Sequence, residues 1–219
     1  MSSSKQIIAH SFKLLLISVT NLEKVTPLKE KISIFSEKIM DRPEALKILE
    51  EMTQSESLLR HARTVELVME ALGAAVGEDP APYALTGLLH DADYEMYPDQ
   101  HPKIIVQKLE ELGEKEIAHA IAGHYTKWEV PRLTMMDKCI VAADELTGFI
   151  VACALIRPTK IEGMKVKSVT KKLKTATFAA KVDREEVYKG AELIGWELSD
   201  LISFIIDVLQ DHKVELELT

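Results

Sequence analysis

Apolar positions recur at helical spacing along most of the chain. From Ser55 to Val76 they fall at Leu58, Ala62, Val65, Val68, Met69 and Leu72, and the pattern stops at Gly77, with Pro80 and Pro82 beyond it. Met40 is followed by Asp41-Arg42-Pro43-Glu44, a helix start with Asp41 as N-cap and acidic charge in the first turn. Ala84 to His90 reads as a short buried helix closed by Asp91. Pro102 to Leu112 is amphipathic through Ile105, Val106, Leu109 and Leu112, and Gly113 ends it. Glu114 to Gly123 follows as another short helix, and Leu133 to Ile156 as a long apolar one cut off by Pro158. Asp183 to Ile194 and Leu198 to Leu209 close the series. No segment alternates in the manner of a strand, and no internal repeat is visible. The expectation is an all-α bundle of about seven or eight helices.

Residues 1 to about 39 differ from the rest. They open with a Ser run and then mix apolar and basic positions without a helical stripe. The spacing predicts an N-terminal extension over 1–39, a helical domain over 40–212 and a C-terminal tail over 213–219. The early apolar run, Leu14 to Val19, is far shorter than a membrane span of about 20 residues, and no small-residue cleavage site follows it.

Composition agrees with helix packing. Of the 219 residues 47% are hydrophobic but only 5% aromatic, so the core rests on Leu, Ile, Val, Ala and Met. A net charge of −8 argues against general nucleic-acid binding while leaving room for a local cationic patch. Cys139 and Cys153 lie in an apolar stretch without a CxxC pair and read as buried free thiols, which fits a reducing cytoplasm.

The chemistry concentrates in one half. Five of the seven histidines fall between 61 and 124: His61, His90, His101, His119 and His124. His90 and Asp91 are adjacent, directly after the buried-type pair Leu88-Leu89. A polar dyad there needs partners, because unpaired buried polar groups cost free energy. His61 has Leu58 and Val65 on its own helix face, so it points inward. Asp144, in Val141-Ala142-Ala143-Asp144, puts a carboxylate inside the long apolar helix, which is expensive unless it is paired. Three helices thus each direct a ligand-type residue into an apolar setting. Histidine and carboxylate together suit Zn, Mn, Fe or Ni.

These residues resemble the pattern H…HD…D of the HD superfamily of metal-dependent phosphohydrolases, here His61, His90-Asp91 and Asp144. The stretches LLHDADYEMYPDQHP, DKCIVAADELTGFIVACALIRPTK and SVTKKLKTATFAAKVDREEV look like the small HDIG-type predicted hydrolases. The resemblance runs from about Met40 to about Leu209. Ala92-Asp93 stands in place of the commoner Ile-Gly, which touches no ligand.

The resemblance implies a single HD domain and one or two divalent metal ions, with Mn, Fe, Zn, Ni and Mg not distinguished. Some members of the superfamily hold a second ion with two further histidines; His101 and His124 are the candidates here. His119 lies five residues from His124, about 140° of helical rotation away, so both do not face one site. Asp91 would bridge two ions, water on the metal would attack a phosphoester, and Asp91 and Asp93 are the catalytic candidates. Tyr94 is a further candidate for relaying a proton. Between Arg157 and Lys174 seven cations stand against one acid, Glu162. Arg157, Lys171 and Lys172 are therefore the candidate contacts for a small anionic substrate, a nucleotide or other phosphoester. No membrane partner is implied, and the expected location is the cytoplasm. Two other readings remain open: a di-iron oxygenase of the HD type that cleaves a C–P or C–C bond, and a nucleotide-binding module without turnover. A chain truncated to begin at Met40 is expected to fold and to keep its activity. Circular dichroism and turnover measurements check this, and loss of folding overturns it.

Overall fold

The computed structural model describes residues 40–219, so the expectation for residues 1–39 lies outside the described residues. Nine α-helices and one 3₁₀ turn form among these residues, with no strand. The helices are α1 (Arg42–Met52), α2 (Glu56–Ala75), α3 (Pro80–Leu89), α4 (Lys103–Glu111), α5 (Lys115–His124), α6 (Met135–Leu155), α7 (Val166–Leu173), α8 (Arg184–Leu193) and α9 (Leu198–Asp211). The 3₁₀ turn, Thr126–Trp128, follows α5.

Local chemistry explains most boundaries. Asp41 caps α1 through a reciprocal pair of hydrogen bonds with Glu44, as its position suggests. Thr134 and Asp137 form the same box at the start of α6. The start of α3 differs from the sequence expectation by four residues. Pro80 and Pro82 do not separate two elements; Asp79 accepts from Ala81 N, and Pro80 opens the helix at a position where no N–H is needed. One helix lacked an apolar signal long enough to be read: α7, the lysine-rich segment, buries only Val169 and Leu173.

Two apolar clusters fill the bundle. One joins α2, α6, α8 and α9, with Leu72, Phe149, Ile150, Ile202 and Ile205 buried in it. The other joins α1, α3, α4 and α5 through Leu49, Leu88, Leu89, Ile105 and Ile121. The end of the chain belongs to the first cluster. Leu216 and Leu218 are buried, and Leu218 O accepts from Ile161 N. The thiols of Cys139 and Cys153 are free and buried. Among the described residues no helix is long and apolar enough to cross a membrane.

The close approach of α3 to α2 sets the position of the His90-Asp91 dyad. A Cβ on Gly87 would lie 2.6 Å from Val65 O and 2.9 Å from Glu66 Cα, both backbone atoms of α2. Only glycine lets the two helices meet there. Alanine is normally the better helix former by about 1 kcal/mol. Gly87→Ala is nevertheless expected to destabilise the protein, by roughly 2 kcal/mol, because α3 must move outward. Urea denaturation checks the sign: a variant as stable as the parent would show that the contact is slack.

Candidate functional site

The seam between the two clusters gathers six side chains from five places in the chain. His61 comes from the second turn of α2, His90 and Asp91 from the end of α3, His101 from the turn before α4, His124 from the last residue of α5, and Asp144 from the middle of α6. They form two groups of three, His61–His90–Asp144 and Asp91–His101–His124.

In the first group His61 Nε2 lies 3.2 Å from His90 Nε2 and 3.1 Å from Asp144 Oδ1, and His90 Nε2 lies 3.3 Å from Asp144 Oδ1. In the second, Asp91 Oδ1 lies 3.3 Å from His101 Nε2 and 3.6 Å from His124 Nε2. The other oxygen of the same carboxylate, Oδ2, faces the first group, 3.6 Å from His90 Nε2 and 3.9 Å from His61 Nε2. Asp91 therefore stands between the groups with one oxygen toward each.

Three of the four imidazoles are held by their far nitrogen. His90 Nδ1 donates to Gly87 O at 2.8 Å, His124 Nδ1 donates to Ile121 O, and His101 Nδ1 donates to Asp93 Oδ1 at 2.7 Å. A proton on Nδ1 leaves the Nε2 of a neutral ring as a lone pair, aimed into the site. The Nε2 atoms of His61 and His90 face each other at 3.2 Å, close enough to share one proton or one cation. Burial alone would push His90 down, but the charges of Asp91 and Asp144 outweigh it and raise its pKa to about 9. Burial would likewise lift the two carboxylates; the histidines instead hold both well below the usual range. The cluster favours positive charge.

The donor set fits a metal ion. With bonds of about 2.0–2.2 Å, neighbouring ligands on one ion lie about 3.0–3.5 Å apart, and the first group matches this spacing. The second group is slightly wider at 3.3 and 3.6 Å. Both groups could hold a divalent ion.

Other residues singled out in the sequence take different places. His119 donates from Nδ1 toward Asp137 Oδ1 at 3.2 Å, which ties α5 to the cap of α6 and removes it from the site. Asp93 is not placed as a catalytic residue. Its carboxylate is fully buried, and besides His101 it accepts from Ile104 N and Ile105 N, both at 3.0 Å. The N-cap position of α4 is Pro102, which offers no side-chain cap, so Asp93 does that work from nine residues upstream. Asp93 thus orients His101 and starts α4 at once.

A cavity of about 570 Å³ opens onto the cluster. Besides the metal-type ligands its lining includes Tyr94, Tyr125, Lys127, Glu145, Lys181 and Glu186. Arg157, Lys171 and Lys172 do not line it. Arg157 donates to Thr159 Oγ1 and Glu162 O, Lys171 is exposed on α7, and Lys172 Nζ sits 4.7 Å from the centroid of the Phe178 ring. The cations of the cavity are Lys127 and Lys181 instead. Lys127 lies three residues after His124, a proximity visible in the sequence. Lys181 lies in a stretch with no local signal for direction. Burial and the neighbouring charges of Asp144 and Glu186 raise Glu145 to about 8.

An all-helical bundle that gathers four imidazoles and two carboxylates, all but the buried His90 lining one cavity, defines a protein built around a candidate metal centre. Residues 58–148 match the family model of the HD domain, a span that contains all six residues. Over that span the chain is similar to the HD domain, a family largely of metal-dependent hydrolases. No curated protein and no solved structure matches the chain.

Removing the Asp93 carboxylate leaves two backbone donors and His101 without partners. Asp93→Ala is expected to lose about 2–4 kcal/mol of stability. Denaturation with urea measures the loss, and an unchanged midpoint would show that water or another group replaces the carboxylate freely.

Proposed function

We propose that the chain is a metal-dependent phosphohydrolase that cleaves a nucleotide or other small phosphoester at the His61–His90–Asp91–His101–His124–Asp144 centre. The observation that carries this reading is the placement of Asp91, one oxygen toward each group of ligands, which suits two neighbouring ions better than one. His61, His90 and Asp144 would hold one ion, His101 and His124 the other, and Asp91 both. Bound divalent ions would bring water toward ionisation near neutral pH and take up charge from the phosphoryl oxygens.

The chain's own groups prepare the rest. The Nδ1 hydrogen bonds of His90, His101 and His124 fix three rings before anything binds, so little reorganisation is left at the moment of reaction. His90, His101 and His124 are buried, and the floor of the cavity is thereby kept from bulk water. Tyr94 and Tyr125 stand edge-on to His101, each with its centroid 5.5 Å away, and give the cavity an aromatic side. Lys127 and Lys181 supply positive charge at the lining for an anionic substrate. The free thiols of Cys139 and Cys153 support a cytoplasmic setting. In this reading the partner is a small anionic molecule rather than nucleic acid or a membrane.

The test is a phosphoester panel with protein loaded separately with Mn, Fe, Zn, Ni or Mg, with metal content measured in parallel. Turnover with close to two ions per chain is expected. Asp91→Ala should reduce the rate by at least about a hundredfold, since it removes a ligand of both ions. Activity that survives this substitution refutes the mechanism. Oxygen uptake by iron-loaded protein, with no phosphoester turnover, would move the assignment to the oxygenase reading.

A further inference from the structure

Part of the cavity wall beside Asp144 belongs to an irregular segment, residues 178–183, between α7 and α8. This segment brings Lys181, Val182 and Asp183 to the cavity. One side chain holds it. Arg184, the first residue of α8, folds back and donates from Nη1 to Ala179 O and Val182 O, each at 2.6 Å, and from Nη2 to Phe178 O. Its guanidinium lies 4.8 Å from the centroid of Phe149 on α6. Phe178 also meets Phe149 edge-on, at 5.5 Å between centroids, and Lys172 covers Phe178 from the other side. Asp183 N donates to Glu145 Oε2 at 3.3 Å, so the segment is registered against the residue that follows Asp144.

Two features show that this wall is held in a form it would not take alone. Ala179 has a φ of +44°, a left-handed conformation unusual for a residue with a Cβ. Three carbonyls that would otherwise turn to water converge on one guanidinium. Strain of this kind persists where the surroundings impose it, and it is frequent at ligand-contact segments. The segment ends in an exposed ammonium that lines the cavity. Among the described residues Lys181 has no ion-pair partner. Asp183 is occupied in capping α8 through Glu185 N and Glu186 N, and Glu145 accepts from the backbone of Asp183.

We propose that Lys181 is a contact for the anionic group of the substrate, and that Arg184 is the positioning residue that holds Lys181 at the cavity. The proposal rests on the phosphohydrolase reading of the same cavity and names the substrate contact that the lysine-rich α7 does not provide. Arg184 touches no reacting group; it acts through the segment it gathers. Lysine at position 184 keeps the charge but cannot serve three carbonyls from one plane.

The experiment uses p-nitrophenyl phosphate as substrate and inorganic phosphate as competing product. Lys181→Ala should raise KM about tenfold, weaken inhibition by phosphate by the same factor and leave kcat within about twofold, with thermal stability unchanged because the side chain is exposed. Arg184→Lys should raise KM in the same direction, and the double variant should be no worse than Lys181→Ala alone. An unchanged KM and phosphate affinity in Lys181→Ala overturns the contact. Effects of the two substitutions that multiply overturn the link between them, and leave Arg184 as a stabiliser of α8. If the parent protein hydrolyses no phosphoester, the functional reading fails separately. Calorimetric binding of inorganic phosphate to the metal-loaded parent and to Lys181→Ala then still decides the contact: a loss of affinity supports it, while equal or absent binding overturns it.

Discussion

The structure depends on an electrostatic demand at its centre. Two carboxylates and four imidazoles are brought within a few ångströms of one another, and the Nε2 atoms of His61 and His90 lie 3.2 Å apart. Two buried carboxylates so placed call for positive charge beside them. His90 is fully buried, and the charges of Asp91 and Asp144 outweigh its desolvation and raise its pKa to about 9. A divalent ion answers the same demand more fully, since it offers more charge and directed bonds to the same lone pairs. The packing around the site is arranged to keep the ligands together and not to relieve their repulsion.

Two kinds of constraint hold the ligands. His61 and Asp144 sit inside α2 and α6, the two longest helices, and their positions follow from helix-on-helix packing in the first apolar cluster. His90, Asp91, His101 and His124 sit at helix ends or in turns, where backbone geometry is looser. There the chain relies on single hydrogen bonds: Gly87 O for His90, Asp93 for His101 and Ile121 O for His124. The turn that carries Asp93 is itself fixed from outside. Thr53 Oγ1 donates to Ala92 O, and Glu95 accepts from Gln54 N and Ser55 N at the start of α2. Ligands on turns can therefore be as well placed as ligands on helices, provided that each turn is bonded to a helix end.

Much of this was legible in the sequence, and the reasons are particular. Helical periodicity located eight of the nine described helices, because each buries an apolar stripe. It missed α7, where Val169 and Leu173 are the only buried anchors among lysines. His61, His90, Asp91 and Asp144 stood out because polar residues in apolar surroundings need partners. Helical rotation separated His124 from His119, the family-like wording AIAGHY favoured His124, and the structure gives a partner to each: Asp91 for His124 and Asp137 for His119. Asp93 was harder to read. Its position beside the dyad suggested chemistry, whereas its carboxylate caps a helix nine residues downstream, a relation that no local pattern encodes. The lysines of α7 lie outside the lining of this cavity. Charge density selects Lys171 and Lys172, but direction decides function, and direction depends on where a loop is folded back.

That loop shows how the two halves of the site differ physically. The metal-type ligands are fixed from within, by core packing and by bonds to buried carbonyls. The wall at residues 178–183 is fixed from its edge, by a guanidinium stacked on Phe149 and a carboxylate adjacent to Asp144. The floor therefore depends on the core, while the wall depends on a few polar bonds and one aromatic face. A substitution in the segment can change what the cavity accepts without disturbing the ligands beneath it. The connection between them is short: Glu145, which accepts the loop's hydrogen bond, follows directly after Asp144, which faces the centre. Through these two adjacent residues of α6 the position of the wall is set relative to the histidine and carboxylate cluster.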